Sequence, residues 1–203
     1  MDEIGLFPLP LVLMPGEQAP LHIFEPRYRE LISECLARGE DFGLVFSDDE
    51  GMRDIGTRAT VVEVLEQFED GRMNIVVEGG ERFRIGNVAE ERAFVTAEIA
   101  ELSDEGDEPT EEERVAALEA YDRVVKAADA ELDEIDLAGE SLAFQIAARI
   151  DLGAEVKQGL LESRSERDRV VRLAELLDHA AEAVAREREI RGRASGNGRV
   201  EAL

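Results

Sequence analysis

The chain has 203 residues, of which 44% are hydrophobic, with 48 acidic against 23 basic side chains and a formal net charge of -25. This charge opposes the counterion release that drives binding to DNA or RNA, which excludes nucleic acid as a partner class, and the apolar content suffices for a core in one domain or two small ones. A single cysteine, Cys35, excludes an internal disulfide and fits a reducing cytoplasm.

The first segment, LFPLPLVLMPGEQAPLHIFEPRYRE from Leu6 to Glu30, is apolar enough to raise the question of a secretion signal. Asp2 and Glu3 precede it, and Pro8, Pro10 and Pro15 would break a helix through it, so it does not read as one. No other stretch approaches the roughly 20 apolar residues that span a bilayer. The expected location is therefore cytoplasmic, with no membrane partner.

From Leu6 to about Leu102 the pattern is mostly strand, in the segments PLHIF, FGLVF, RATVVEVLEQF, MNIVV, RFRIGNV and AFVTAEIAEL. Proline cannot donate to a strand ladder, so Pro8, Pro10, Pro15 and Pro20 mark edge or bent strands and a turn around Gly16. Asp70-Gly71 between two of the runs predicts a hairpin over residues 59–78. One helix interrupts the strands: Pro26 suits a first turn, and Tyr28, Leu31, Ile32, Cys35 and Leu36 form an apolar stripe from about 26 to 38 that stops at Gly39.

SDEGDEPTEEE, residues 103–113, reads as a charged linker, and helices follow it. Thr110 with Glu113 forms a capping box, after which Val115, Leu118, Tyr121, Val125, Ala128 and Leu132 recur at three and four. Shorter helices are expected at about 139–150 and 154–162. Ser165 with Asp168 resembles a second cap ahead of Val170, Ala174, Leu177, Ala181 and Val184. The apolar stripes need partners, which predicts a small α-helical bundle. The resulting division is a β-rich region over residues 1–104, a helical region over 105–190 and a disordered tail over 191–203.

Few residues offer chemistry. His22 lies on a strand and has no second histidine or cysteine at metal spacing, so a hydrogen-bonded structural histidine is the better reading and no metal site is expected. His179 is expected at a helix surface, and Cys35 as a buried, inert thiol on an apolar stripe. SDDEG, residues 47–51, lacks the alternating oxygen ligands of a calcium loop, and Gly79, Gly80 and Gly86 precede strand rather than helix, so no phosphate loop or cofactor is expected. Glu25 and Arg27 are expected to pair at a strand-to-helix corner. Lys126 and Lys157 are the only lysines, and such an arginine-over-lysine, acid-rich composition suggests a halophilic source, with an ordinary acidic protein of a GC-rich genome as the alternative.

These residues carry a resemblance. LFPLPLVLMPGEQAPLHIFEPRYRELI, then FGLVF, GTRATVVEV, DGRMNIVVEGGERFRI and EVKQGLLE before a long helix, resemble in order the LON domain, the substrate-binding domain at the amino terminus of Lon proteases that also occurs in stand-alone proteins. The resemblance implies an α+β fold: a PUA-like β pseudo-barrel followed by helices. The phosphate loop of a Lon ATPase domain, GxxxxGK followed by Ser or Thr, is missing from the sequence, as is a convincing serine–lysine dyad.

The resemblance therefore implies a non-catalytic, protein-binding module that holds exposed apolar segments of unfolded or partly folded polypeptides. An adaptor for a single folded partner, such as a separately encoded protease or ATPase, and an enzyme assembled around His22, Glu25 and Arg27 remain as alternatives. The client surface is expected on the β region near Phe7, Phe24, Phe46 and Phe68, because large apolar side chains anchor extended segments and the chain has no tryptophan.

Overall fold

A computed structural model describes residues 2–131, 135–137, 139 and 141–196. In chain order its elements are β1 (Asp2–Leu9), β2 (Gln18–Ile23), α1 (Pro26–Arg38), β3 (Phe42–Asp48), β4 (Gly51–Gln67), β5 (Met73–Ala89), β6 (Thr96–Glu101), α2 (Glu111–Ala128), α3 (Leu142–Arg149), α4 (Ala154–Glu162) and α5 (Glu166–Gly196). They belong to two compact units, Met1–Glu105 with Phe144–Arg164, and Gly106–Ala143 with Ser165–Leu203.

The first unit is a β pseudo-barrel. Its strand order is β2-β5-β4-β3-β1-β6, and β6 also pairs with β5, so β5, β4, β3, β1 and β6 close on one another while β2 adds to the outside of β5. Closure needs one parallel pairing, β1 with β3, and the chain makes that crossover through β2 and α1. The Asp70-Gly71 hairpin forms as expected between β4 and β5, with Gly71 at φ +85, a conformation a side chain would disfavour.

The proline-rich opening folds as a turn laid across β5. Glu17 donates its backbone N–H to the Met14 carbonyl at 3.0 Å, and its carboxylate accepts from the Met14 N–H at 2.9 Å. Gly16 and Glu17 then bond to Gly79, Gly16 N–H to its carbonyl at 2.7 Å and Gly79 N–H to the Glu17 carbonyl at 2.9 Å. A Cβ on Gly79 would sit 2.2 Å from the Met14 oxygen, so this crossing requires glycine. Pro20 lies on β2, an outer strand that pairs with β5 alone, where its missing N–H costs no ladder bond across the strand's open side.

Alternation along the strands divides the core. Ile4, Leu6, Val45, Phe83, Ala97 and Ile99 pack together, whereas Phe7, Phe42, Leu44 and Ile75 turn to the other face and meet Tyr28, Leu31, Ile32 and Cys35 of α1. The stripe read on α1 is buried there except for Leu36, which is exposed.

The second unit is built on α2 and α5. They run in the same direction, since Glu113 pairs with Arg167 near their starts at 2.8 Å and Arg123 with Asp178 further along at 2.6 Å. The Thr110–Glu113 capping box is complete, and Ser165 Oγ accepts from the Asp168 N–H at 3.0 Å as the second cap. On α2 the packing face is rotated from the one read in sequence: Ala117, Ala120, Tyr121, Val124 and Val125 are buried, while Val115 and Ala128 are exposed. Small alanines let a helix approach its neighbour closely, which periodicity of large apolar residues does not register. The helix ends at Ala128 with Asp129 in the left-handed region, and Leu132 lies outside the described residues. Beneath the pair, the fully buried Arg169 meets Glu166 at 2.7 Å, and Glu166 also accepts from Ser141 Oγ at 2.6 Å and from the Ala143 N–H at 3.1 Å.

Two features depart from the chain-order division. Phe144–Arg164, with most of α3 and all of α4, groups with the strands rather than with the other helices. The helix α5 continues to Gly196, into the stretch expected to be an irregular tail, whose remaining residues 197–203 lie outside the described residues. No described helix is long and apolar enough to cross a membrane.

Candidate functional site: the outer face of β2, β5 and β4

The register of the three strands fixes which side chains share their outer face. On β2, Leu21 and Ile23 are buried, so Pro20, His22 and the following Phe24 point outward. Pro20 stands opposite Val76 of β5, and His22 opposite Asn74. Across β5, Val76 is opposite Glu63 of β4, and Asn74 is opposite Glu66.

β4 contributes more than its regular positions. The pairing with β5 shifts between Val61 and Glu63 and again between Val64 and Glu66, which leaves Val62 and Leu65 as extra residues, each next to an outward-facing glutamate. Two residues of a bulged strand oppose one partner residue, so a bulge re-aims a side chain. Both extra residues are exposed, Val62 by 46% and Leu65 by 54%.

Phe24, Phe68 and His22 cluster at one end of this face. Phe24 is 58% exposed and stacks on His22 with ring centroids 5.8 Å apart, while Phe68 is half-buried and meets His22 edge-on at 6.3 Å. Polar contacts position the group. His22 Nδ1 bonds Asn74 Oδ1 at 2.6 Å, Asn74 Nδ2 donates to Glu66 at 3.2 Å, and Arg72 lies 5.1 Å over the Phe68 ring while pairing with Asp70 at 2.7 Å. From α1, Arg29 Nη1 donates to the Asp70 carbonyl and so ties the hairpin turn to the helix.

Of the four phenylalanines expected to form a client surface, the structure brings two together. Phe7 takes the inward position on β1 and stacks on Tyr28 at 4.0 Å, and Phe46 is buried with Arg53 5.6 Å over its ring. Sequence reasoning missed Val62 and Leu65, which sit at the two bulges within residues 62–67, a stretch that is exposed throughout.

The ionisable residues singled out in the sequence have structural contacts or lie on exposed surface. Glu25 and Arg27 pair at 2.8 Å as expected, and both are solvent-exposed. His22 has an amide partner, and His179 is on the exposed surface of α5. Among the described residues no group of three or more His, Cys, Asp or Glu side chains is placed to hold a metal ion. A cavity of about 530 Å3 bordered by α1, β1 and β6 contains Cys35, Glu34, Arg58 and Arg92, but Arg92 pairs with Glu34 and Arg58 with Asp2. Burial, reinforced by Glu40, Asp41 and Glu34, pushes the Cys35 thiol up to about 11, so it stays protonated near neutral pH and is a poor nucleophile.

A β pseudo-barrel with an apolar, partly exposed sheet face has the features of a binding domain. Residues 3–179 match the family model described as the ATP-dependent protease La (LON) substrate-binding domain, and the chain belongs to that family. Curated relatives include a Lon protease of Flavobacterium johnsoniae, 26% identical over 79% of this chain and 22% of that protein, and Lon protease 2 of Myxococcus xanthus, 27% identical over 84% and 23%. The chain thus spans about a fifth to a quarter of the length of such relatives. The fold matches the Lon N-terminal domain protein from Xanthomonas campestris, with a TM-score of 0.67, 24% identity and coverage of 85% of this chain and 97% of that one. It also matches the N-terminal domain of the Mycobacterium avium complex Lon protease, with a TM-score of 0.65, 18% identity and coverage of 87% and 98%.

Proposed function

We propose that this protein is a non-catalytic module that holds exposed apolar segments of unfolded or partly folded polypeptides on the outer face of β2, β5 and β4. The observation that carries the reading is Phe24, a large aromatic side chain left 58% exposed on a face it shares with Leu65 and Phe68. An extended client segment gains by covering such side chains, because each square ångström of apolar surface removed from water contributes about 25 cal/mol. The family membership supports the class of ligand, since the matched domain is the part of Lon described as substrate-binding. The cytoplasm is the proposed compartment, in keeping with the single buried thiol.

Titration with one labelled protein in two states, reduced and carboxymethylated or natively folded, tests this reading. Binding of the unfolded state alone supports a client-holding module. Binding of neither state by a correctly folded sample would overturn it, and capture of one dominant folded protein from native lysate would replace it with the adaptor reading.

A further inference from the structure

The apolar face also bears charge of one sign. Glu63, Glu66 and Glu78 point out of it from β4 and β5, beside Val62, Leu65 and Val76. None of the three has a cationic partner: Glu66 accepts from Asn74 Nδ2, Glu78 accepts from Gln18 Nε2 at 2.7 Å, and Glu63 makes no hydrogen bond or ion pair among the described residues. The nearby cations are engaged, Arg72 with Asp70 and Phe68, and Arg27 with Glu25 and Tyr28. Carboxylate and apolar side chains thus alternate over a three-stranded surface with no internal counter-charge. Elsewhere in the unit Arg53, Arg58 and Arg92 each pair with a neighbouring acid.

We infer that this face selects, among apolar segments, those that carry lysine or arginine between their apolar side chains. The inference rests on the proposed polypeptide site and names the client class it prefers. An extended segment places alternate side chains on one face, about two residues apart, so apolar residues can reach Phe24 and Leu65 while interspersed cations reach Glu63, Glu66 and Glu78. An acidic segment would bring like charges together on the same surface and be rejected.

The test uses peptides with one common Phe-, Leu- and Val-containing core and a neutral fluorophore, interspersed with lysine, serine or glutamate, and reads anisotropy from low to molar salt. At low salt the lysine peptide should bind about tenfold tighter than the serine peptide and the glutamate peptide weakest, with the spread closing as salt screens it. The combined variant Glu63→Gln, Glu66→Gln, Glu78→Gln should remove the preference for lysine. A charge-matched control on exposed acids in the turns at other ends of the strands, Asp49→Asn, Glu90→Gln, Glu91→Gln, should keep it. Equal affinity for lysine and serine peptides, or an equal loss in both triple variants, would overturn the selection while leaving the polypeptide site standing. Failure of every peptide to bind the wild-type protein would overturn the site itself and this inference with it.

Discussion

Arg82 of β5 donates from Nη1 to the carbonyl oxygen of Leu161, 79 residues later in the chain, at 2.7 Å. The same nitrogen reaches the Ser163 carbonyl at 2.6 Å, Nη2 meets Asp104, and the guanidinium lies 5.1 Å over the Phe144 ring. The last carbonyls of a helix have no partner within it, so Arg82 caps α4 from the barrel. Lys157 with Glu17 at 2.6 Å and Gln158 with the Ile55 carbonyl at 3.2 Å add further ties, which explains why Phe144–Arg164 belongs to the β unit.

Removing this buried cation takes away a donor that the Leu161 and Ser163 carbonyls and Asp104 share. Arg82→Ala should therefore lower stability by about 3 to 5 kcal/mol in equilibrium denaturation followed by circular dichroism. A loss below about 1 kcal/mol would show that α4 is held by its other contacts and not by Arg82.

Arg27→Ala should behave differently. Its partner Glu25 is 40% exposed and Arg27 itself 52%, so neither group is left desolvated when the other is removed. Exposed pairs of this kind contribute about 0 to 1 kcal/mol, and the same denaturation measurement should place this variant within that range.

Much of the fold was legible because local signals agree with tertiary contacts. The α1 stripe ends at Gly39, the Asp70-Gly71 turn closes β4 on β5, and Thr110 and Ser165 cap their helices. The grouping of α4 was not legible, because the Arg82–Leu161 contact joins residues far apart in sequence and no local pattern encodes it. For the candidate face, residue type alone groups Phe7, Phe24, Phe46 and Phe68, and only strand orientation shows that Phe7 and Phe46 are buried. The signal that would have found Val62 and Leu65 is the repeat VVEVLE, residues 61–66, whose period is three where a strand requires two. One extra residue per repeat, absorbed as a bulge, restores the register: Val61 and Val64 oppose the buried Val77 and Ile75, although Val64 is itself 41% exposed, and both glutamates oppose outward-facing residues of β5.

Acid should weaken the pairing of α2 with α5. The hydrogen bond from Arg167, then the backbone N–H of Thr110, holds the Glu113 carboxyl at about 2, below its ordinary 4.5. A carboxylate whose pKa is depressed by folding adds stability above its unfolded pKa, and that contribution disappears as pH falls through the folded value. The melting-temperature difference between wild type and Glu113→Gln should be constant above about pH 5 and shrink between pH 4.5 and 2. A difference that persists unchanged to pH 2 would assign the effect to packing.

Salt should stabilise the whole protein. With a net charge of -25 the folded chain repels itself, and raising salt from 0.1 M to 1 M shortens the screening length from about 10 Å to about 3 Å. Melting temperature should rise steadily from dilute buffer to molar KCl. A melting temperature that does not respond to KCl would contradict self-repulsion as a limit on stability.

The affinity of an unfolded, labelled polypeptide for Phe24→Ser and Leu65→Ser, measured beside their melting temperatures, tests the client face most directly. Both side chains are more than half exposed, so their loss should weaken binding about tenfold or more with the fold intact, as expected of anchor residues. Phe7→Ser, buried against Tyr28, should instead cost about 3 to 5 kcal/mol of stability. Wild-type affinity in both Phe24→Ser and Leu65→Ser would contradict the account and move the client site off the outer face of β2, β5 and β4.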